Sequence, residues 1–284
     1  MYSAQELVAN IETLAALPTV YYRVRDQLES PNASIGDIAR LLENDPSLTS
    51  GVLRLVNSAF FGFSRRIESV ARAIPILGLR QTHELVLAIS VSNVFDGIRP
   101  QYMDMKRYWQ GCMTTALAAR ELAQLTYSTS SERLFIIGLL ADIGHLVMYQ
   151  TVPDLAIEAQ TIADAGAGPL YEAERRVVGC DFAEVGAALT DNWSLPTNFA
   201  EIIGAQNAPK LAGEYALDAA LLHVSLVVST AVCHDEPSEQ ALARIDPRIL
   251  SAFGIEADNF SLIREIVEAN LDSCTATFFP KTAR

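Results

Sequence analysis

The sequence predicts an all-α chain folded as an irregular helical bundle, and three observations carry that expectation. Apolar residues recur at helical spacing along most of the chain, no run alternates as a strand bounded by hairpin turns would, and Ser or Asp caps and Gly or Pro stops stand where successive helices would begin and end. Half of the 284 residues are apolar, enough for a large core in one domain or in two packed subdomains.

Ser3 and Glu6 have capping-box spacing ahead of Leu7, Ile11 and Leu14, and Leu17-Pro18 stops that first helix. A second helix is expected at about 20–28, and Ser34 with Asp37 caps a third that carries Ile38, Leu41 and Leu42. Asp45-Pro46 breaks the chain and starts the next helix, with Leu48, Val52, Leu55 and Val56 on one face and an end near Asn57-Ser58, whose side chains would satisfy free carbonyls or order the turn. Beyond the aromatic turn Phe60-Phe61-Gly62-Phe63, the residues Ile67, Val70, Ile74 and Leu77 make an amphipathic helix closed by Gly78, and a long apolar helix follows at about 81–95. Gly, Pro and charges at Asp96-Gly97-Ile98-Arg99-Pro100 interrupt the periodicity, which divides the chain into subdomains at 1–97 and 98–284. Helices are then expected at about 103–126, 131–150, 153–165, 169–178, 181–192, 197–206 and 214–233, with a terminal pair at 239–253 and 259–273.

The net charge of −13, from 21 basic and 34 acidic residues, opposes attraction to nucleic acid or to an anionic membrane. Cys112, Cys180, Cys233 and Cys274 form no CxxC pair, so neither a zinc knuckle nor a disulfide framework is expected, and a reducing cytosol fits. Early polar residues at the N-terminus do not read as a secretory signal, and no uninterrupted apolar segment reaches the roughly 18 residues of a spanning helix. The expected protein is soluble and cytoplasmic.

Leu17-Pro18, Leu42-Glu43-Asn44-Asp45-Pro46-Ser47-Leu48-Thr49, Val52-Leu53-Arg54-Leu55-Val56-Asn57-Ser58-Ala59 and Ala73-Ile74-Pro75-Ile76-Leu77-Gly78 form an ordered series. It continues with Trp109, Gly138-Leu139-Leu140-Ala141-Asp142-Ile143-Gly144, Gly179-Cys180-Asp181-Phe182-Ala183-Glu184-Val185-Gly186-Ala187 and Trp193-Ser194-Leu195-Pro196. Over roughly residues 10–240 the chain resembles the HDOD domain family, degenerate relatives of the HD-type metal-dependent phosphohydrolases. The resemblance implies an all-helical fold with an HD-like C-terminal half, and regulatory rather than enzymatic work. It also implies association with two-component receiver domains or cyclic-di-GMP turnover domains, and no such domain is fused within these 284 residues.

A divalent ion in such a pocket needs several imidazoles and carboxylates converging on one point. By the resemblance the His-Asp pair falls on Ala141 and Asp142, and an upstream histidine is expected where Gln110, Gly111, Cys112 and Met113 stand. Phe182 takes a position where histidine is often seen, Gln206-Asn207 stands where a His-His pair often follows, and His223 survives with Leu226 three residues on. An aromatic ring, a thioether and two amides do not replace imidazoles around a hard ion. The expectation is therefore no metal, no cofactor and no catalytic residue, but a vestigial pocket of Trp109, Cys112, Ala141, Asp142, His145, Phe182, Gln206, Asn207 and His223.

His145 stands three residues after Asp142, so the two share a helix face. They read either as a remaining acid/base or ligand-sensing pair, or as a buried Asp satisfied by other donors with His145 at the rim. Phe60, Phe61 and Phe63 either cap the N-terminal core or form an exposed partner surface. Glu172 and Glu174, followed by Arg175 and Arg176, read as a solvated helix face or a polar contact surface. His83 and His234 read as helix-terminus surface residues. There is no GxSxG elbow, no cysteine with a motif-paired histidine and no phosphate-binding glycine loop.

These readings favour a bacterial-type signalling module that works by protein binding, through a population shift in the arrangement of its subdomains. A response regulator, a sensor kinase or a cyclic-di-GMP enzyme is the partner implied by resemblance, and the oligomeric state is left open. The competing expectation is a residual phosphohydrolase or nucleotide-binding protein using Asp142, Gln206, Asn207 and His223, and a third is a structural scaffold.

Overall fold

Ser3 opens the first helix of the computed structural model as its spacing with Glu6 predicts. Its hydroxyl accepts from the Glu6 N–H and the Glu6 carboxylate accepts from the Ser3 N–H at 2.8 Å, pairing two donors that a helix start leaves open. The structure describes residues 1–11, 17–30, 34–58, 61, 63, 65–94, 103–126 and 130–279, and among them there is no strand. α1 stops at Ala9 with Asn10 as its C-cap, short of the expected end at Leu17-Pro18, and Pro18 instead precedes the first turn of the second helix; Leu14, Phe60, Gly62 and the interruption at 96–100 lie outside the described residues.

In chain order the helices are α1 (Ala4–Ala9), α2 (Thr19–Glu29), α3 (Ile35–Glu43), α4 (Pro46–Val56), α5 (Val70–Val94), α6 (Met105–Thr126), α7 (Ser131–Leu140) and α8 (Ile143–Thr151). There follow α9 (Pro153–Asp164), α10 (Leu170–Val177), α11 (Phe182–Asn192), α12 (Thr197–Gly204), a 3-10 turn at Pro209–Tyr215, α13 (Ala216–Cys233), α14 (Ser238–Leu242), α15 (Pro247–Phe253) and α16 (Ala257–Phe278).

The chain's contacts gather it into two units, residues 15–97 with 269–284, and residues 1–14 with 98–268. The expected division at 1–97 and 98–284 is corrected at both ends. At the first, the Tyr2 N–H donates to the Val178 carbonyl at 2.7 Å, and α1 buries Leu7 and Val8 against α8 and α11. At the other, the Arg54 Nε donates to the Thr277 carbonyl at 3.0 Å.

In the unit of 15–97, α2 to α5 bury one continuous apolar core that includes Tyr21, Val24, Ile38, Leu42, Leu48, Val52, Leu55 and Ile74. Asp45 caps α4 through the Ser47 and Leu48 N–H groups at 2.8 and 3.0 Å, with Pro46 in the first turn where its missing N–H costs nothing. Gly78 interrupts α5 at φ 80°, a conformation that glycine adopts without a Cβ clash, so the long run is two helices joined at a bend. His83 departs from its expected surface role: it is part-buried, stacked on the Tyr21 ring and hydrogen-bonded to the Tyr21 hydroxyl at 3.0 Å.

Asn57 ends α4 and ties two pieces of backbone together. Its amide donates to the Leu53 and Ile67 carbonyls at 2.7 and 2.8 Å and accepts from the Ile67 N–H at 2.7 Å, while the Ser58 hydroxyl donates to the Leu55 carbonyl. Asn57→Ala is expected to cost about 1–2 kcal/mol in chemical denaturation, since it strands backbone groups that no neighbouring side chain replaces.

In the unit of 98–268, α6 lies against α7 and α13, and α11 against α8 and α12. The single helix expected at 131–150 is two, α7 and α8, separated at Ala141 and Asp142. Asp142 sits at φ −102° and ψ 7°, and its carbonyl accepts from both the His145 N–H at 3.1 Å and the Tyr108 hydroxyl at 3.2 Å. The helix expected at 239–253 is likewise split into α14 and α15, because Pro247 cannot continue the ladder and Asp246 caps the new start through the Arg248 N–H at 2.9 Å. The stretches Ser131–Thr151 and Pro209–Cys233 are apolar and long enough to cross a membrane by composition alone. Most of each is buried inside the unit, and each is broken, at Asp142 and at Gly213.

Candidate functional site

The bend between α7 and α8 positions the site. From Asp142, at the cap of α8, the chain makes one turn to His145, whose Nδ1–H donates to the Asp142 carboxylate at 2.8 Å. On the other edge of the ring, Nε2 stands 2.9 Å from Glu174 Oε1, an ion-pair distance at an angle too bent for a hydrogen bond. The second oxygen of Glu174 accepts from the Phe182 N–H at 3.0 Å, and the Phe182 ring stacks on the imidazole with centroids 4.2 Å apart and planes 15° from parallel. Glu174 is 2% exposed and the His145 side chain 12%, so this is an internal arrangement of one imidazole between two carboxylates.

Burial is the largest single influence on His145 and lowers its pKa, but the charges of Asp142 and Glu174 and their polar contacts outweigh it and hold the imidazole well above its usual range. The arrangement favours the charged form, an imidazolium, over the neutral ring. Cys112, on α6, is also shifted upward, but by burial first and then by the Asp142 charge, which favours its neutral thiol.

A second set of contacts runs from the same bend. Gln206 is fully buried, its Nε2–H donates to the Ala141 carbonyl at 2.9 Å, and its own backbone carbonyl accepts from His223 Nδ1–H at 2.9 Å. Gln206 Oε1 and Asn207 Nδ2 are buried with no hydrogen-bond partner among the described residues. Trp109 is buried edge-on to Tyr108, with ring centroids 4.9 Å apart.

The structure thus brings Ala141, Asp142, His145 and Phe182 together and joins Gln206 and His223 to them through backbone carbonyls. Trp109 and Cys112 reach the group by way of Tyr108. Phe61 and Phe63 lie in the other unit, stacked with centroids 5.9 Å apart, and Phe63 is 41% exposed.

Glu174 corrects the reading of a solvated face. Glu172, Arg175 and Arg176 are exposed, but Glu174 is buried. The signal lies in the pattern Leu170, Ala173, Glu174, Val177, Val178, where a carboxylate occupies the middle of an apolar stripe and so needs a buried partner. Tyr108 was hidden behind the more conspicuous Trp109. Asp181, at the start of α11, adds an unforeseen capping box with Glu184 that fixes where Phe182 begins the helix.

An HD-type metal does not fit these residues. The Asp142 carboxylate is engaged by the imidazolium, the Phe182 ring covers the face where a further imidazole would stand, and the Gln206 amide nitrogen is turned to Ala141. Among the described residues no three His, Cys, Asp or Glu side chains are placed to hold a metal ion.

An all-helical chain with an HD-like half and a substituted ligand set defines a degenerate HD-like domain. The HDOD domain model matches residues 14–209, and the chain belongs to the HDOD family. An uncharacterized protein of Treponema pallidum is 27% identical over 197 residues, covering 68% of this chain but 37% of that protein, so the chain spans little more than a third of that relative. A crystal structure of a candidate phosphohydrolase from Shewanella amazonensis matches with TM-score 0.76 at 24% identity, over 100% of this chain and 99% of that one. An HDOD domain protein of unknown function from Geobacter sulfurreducens matches with TM-score 0.72 at 21% identity, over 97% and 95% of the two chains.

Proposed function

We propose that this protein is a non-catalytic signalling module of bacterial type that acts by binding another protein in the cytoplasm. The observation that carries the reading is the site itself: His145 lies between Asp142 and Glu174, next to Ala141, the position at which the resemblance expects a metal-binding histidine. The buried member, Glu174, is committed to His145 and to the Phe182 N–H, which favours a structural role over turnover. The family resemblance supports a response regulator, a sensor kinase or a cyclic-di-GMP enzyme as partner. The stacked pair Phe61 and Phe63 supplies an aromatic surface of the sort that anchors such contacts. A partner that binds one conformation better than another draws the protein toward it.

Capture from the native host, read by mass spectrometry, tests the proposal. Wild-type protein is expected to recover one such signalling partner, and Phe63→Ser to bind it at least about tenfold more weakly, as loss of an aromatic anchor implies. Stoichiometric iron, manganese or zinc in the purified protein, with phosphoester turnover that Asp142→Ala abolishes, overturns the non-catalytic reading.

A further inference from the structure

An apolar opening in the unit of 98–268 lies between the 3-10 turn, α13 and α15, a groove of about 670 Å³. That is within the roughly 300–1,000 Å³ typical of small-molecule clefts. Ala220, Ile249 and Phe253 line it, and Leu211 and Leu217 stand at its edge 79% and 59% exposed, an arrangement that puts apolar surface in water without a protein contact to repay it.

Its charge runs against that of the chain. Lys210, Arg244 and Arg248 line the groove with a single carboxylate, Asp246, in a protein of net charge −13. Asp246 is forked onto Arg248, and Arg244 is paired with Glu236, so neither carboxylate is free to repel an anion. Lys210 makes no hydrogen bond or close ion pair among the described residues, and its charge acts on Asp246 only through space. Two polar groups complete the lining. Asn207 Nδ2 is buried and unpartnered, and His223, whose Nδ1–H is given to the Gln206 carbonyl, keeps Nε2 as an acceptor. An apolar wall with a few convergent polar groups and an uncommitted cation is the make-up of a site for a small amphiphile.

We propose that this groove binds a free organic anion with an apolar body, an aliphatic carboxylate of medium chain length. Its chain lies along Ala220, Ile249 and Phe253, and its head group accepts from the Lys210 ammonium at the rim of the groove. The site stands independently of the protein-binding function proposed above.

Isothermal calorimetry with three probes of equal chain length, decanoate, decanol and decyltrimethylammonium, each below its micelle concentration, separates the chemistry. One decanoate per chain is expected, with decanol at least about tenfold weaker, as one charge-assisted hydrogen bond is worth, and no saturable binding of the cation. Lys210→Glu is expected to remove the advantage of decanoate over decanol. Ala220→Phe fills the groove and is expected to abolish binding. Leu217→Asp, at an exposed position that the fold tolerates, is expected to weaken it severalfold with the circular dichroism spectrum and melting temperature unchanged. The proposal is overturned by no saturable decanoate binding, by equal binding of all three probes, or by decanoate affinity unchanged in Leu217→Asp. Co-sedimentation with anionic phospholipid vesicles in the absence of decanoate binding overturns it in favour of a membrane surface.

Discussion

His145→Gln is expected to lower the stability of the protein by about 3–5 kcal/mol in chemical denaturation at pH 6, the cost of leaving a buried charge without its counter-charge. Glutamine can still donate to Asp142 or to Glu174, but it brings no positive charge, and Glu174 is 2% exposed. The pH dependence gives the more specific readout. The imidazole's pKa is raised on folding, so its contribution is fully present below the unfolded value of about 6.5 and is lost as pH rises through the folded value. Wild-type stability is therefore expected to fall from near pH 6.5 upward along a slope that His145→Gln lacks. The double variant His145→Gln/Glu174→Gln is expected to be more stable than the sum of the two single losses predicts, because the second change removes the charge that the first exposed. Parallel stability curves for wild type and His145→Gln between pH 6 and 9 contradict the imidazolium.

Gly144→Ala is expected to cost more than about 3 kcal/mol, or to prevent soluble expression, through overpacking between helices. A Cβ on Gly144 would stand 1.9 Å from the Phe182 carbonyl oxygen and 2.8 Å from the Gly186 nitrogen. Both are backbone atoms, so α8 and α11 would have to part, and the stacked pair of His145 and Phe182 with them. Gly111→Ala is the matched control: nothing lies within 4 Å of its Cβ position, and as a mid-helix substitution in α6 it is expected to add about 0.5–1 kcal/mol. Thermal or urea melts of the two variants decide whether crowding or helix propensity governs.

The caps at Ser3, Ser34 and Asp45 and the bend at Gly78 were legible because each is a local arrangement of neighbouring residues. The break at Asp142 was not, since residues 131–150 are apolar on all sides. The bend between α7 and α8 carries a hydrogen bond from the Tyr108 hydroxyl, 34 positions away, which no local pattern announces. The place of residues 1–14 was hidden for a related reason: helical spacing shows that Leu7 and Val8 face a core without saying which one. Of the site, the absent ligands could be read position by position. Glu174 could not be assigned through its flanking charges, although its seat in an apolar stripe marks it. The stacking of Phe182 on His145 was not legible either: the capping box at Asp181 and Glu184 fixes where α11 starts, but which helix its first residue meets is a tertiary fact.

Asn57 and Ser58 form a dipeptide that ages readily in an unstructured chain, where the serine nitrogen attacks the neighbouring amide carbon, expels ammonia and leaves aspartate or isoaspartate. In the folded protein that nitrogen already donates to the Leu55 carbonyl, and the amide is held by Leu53 and Ile67. The reaction geometry is denied for as long as the end of α4 stays folded. Deamidation at this one position therefore records how long the unit of 15–97 has spent open, a chemical clock that mass spectrometry of the peptide carrying Asn57 reads in stored protein.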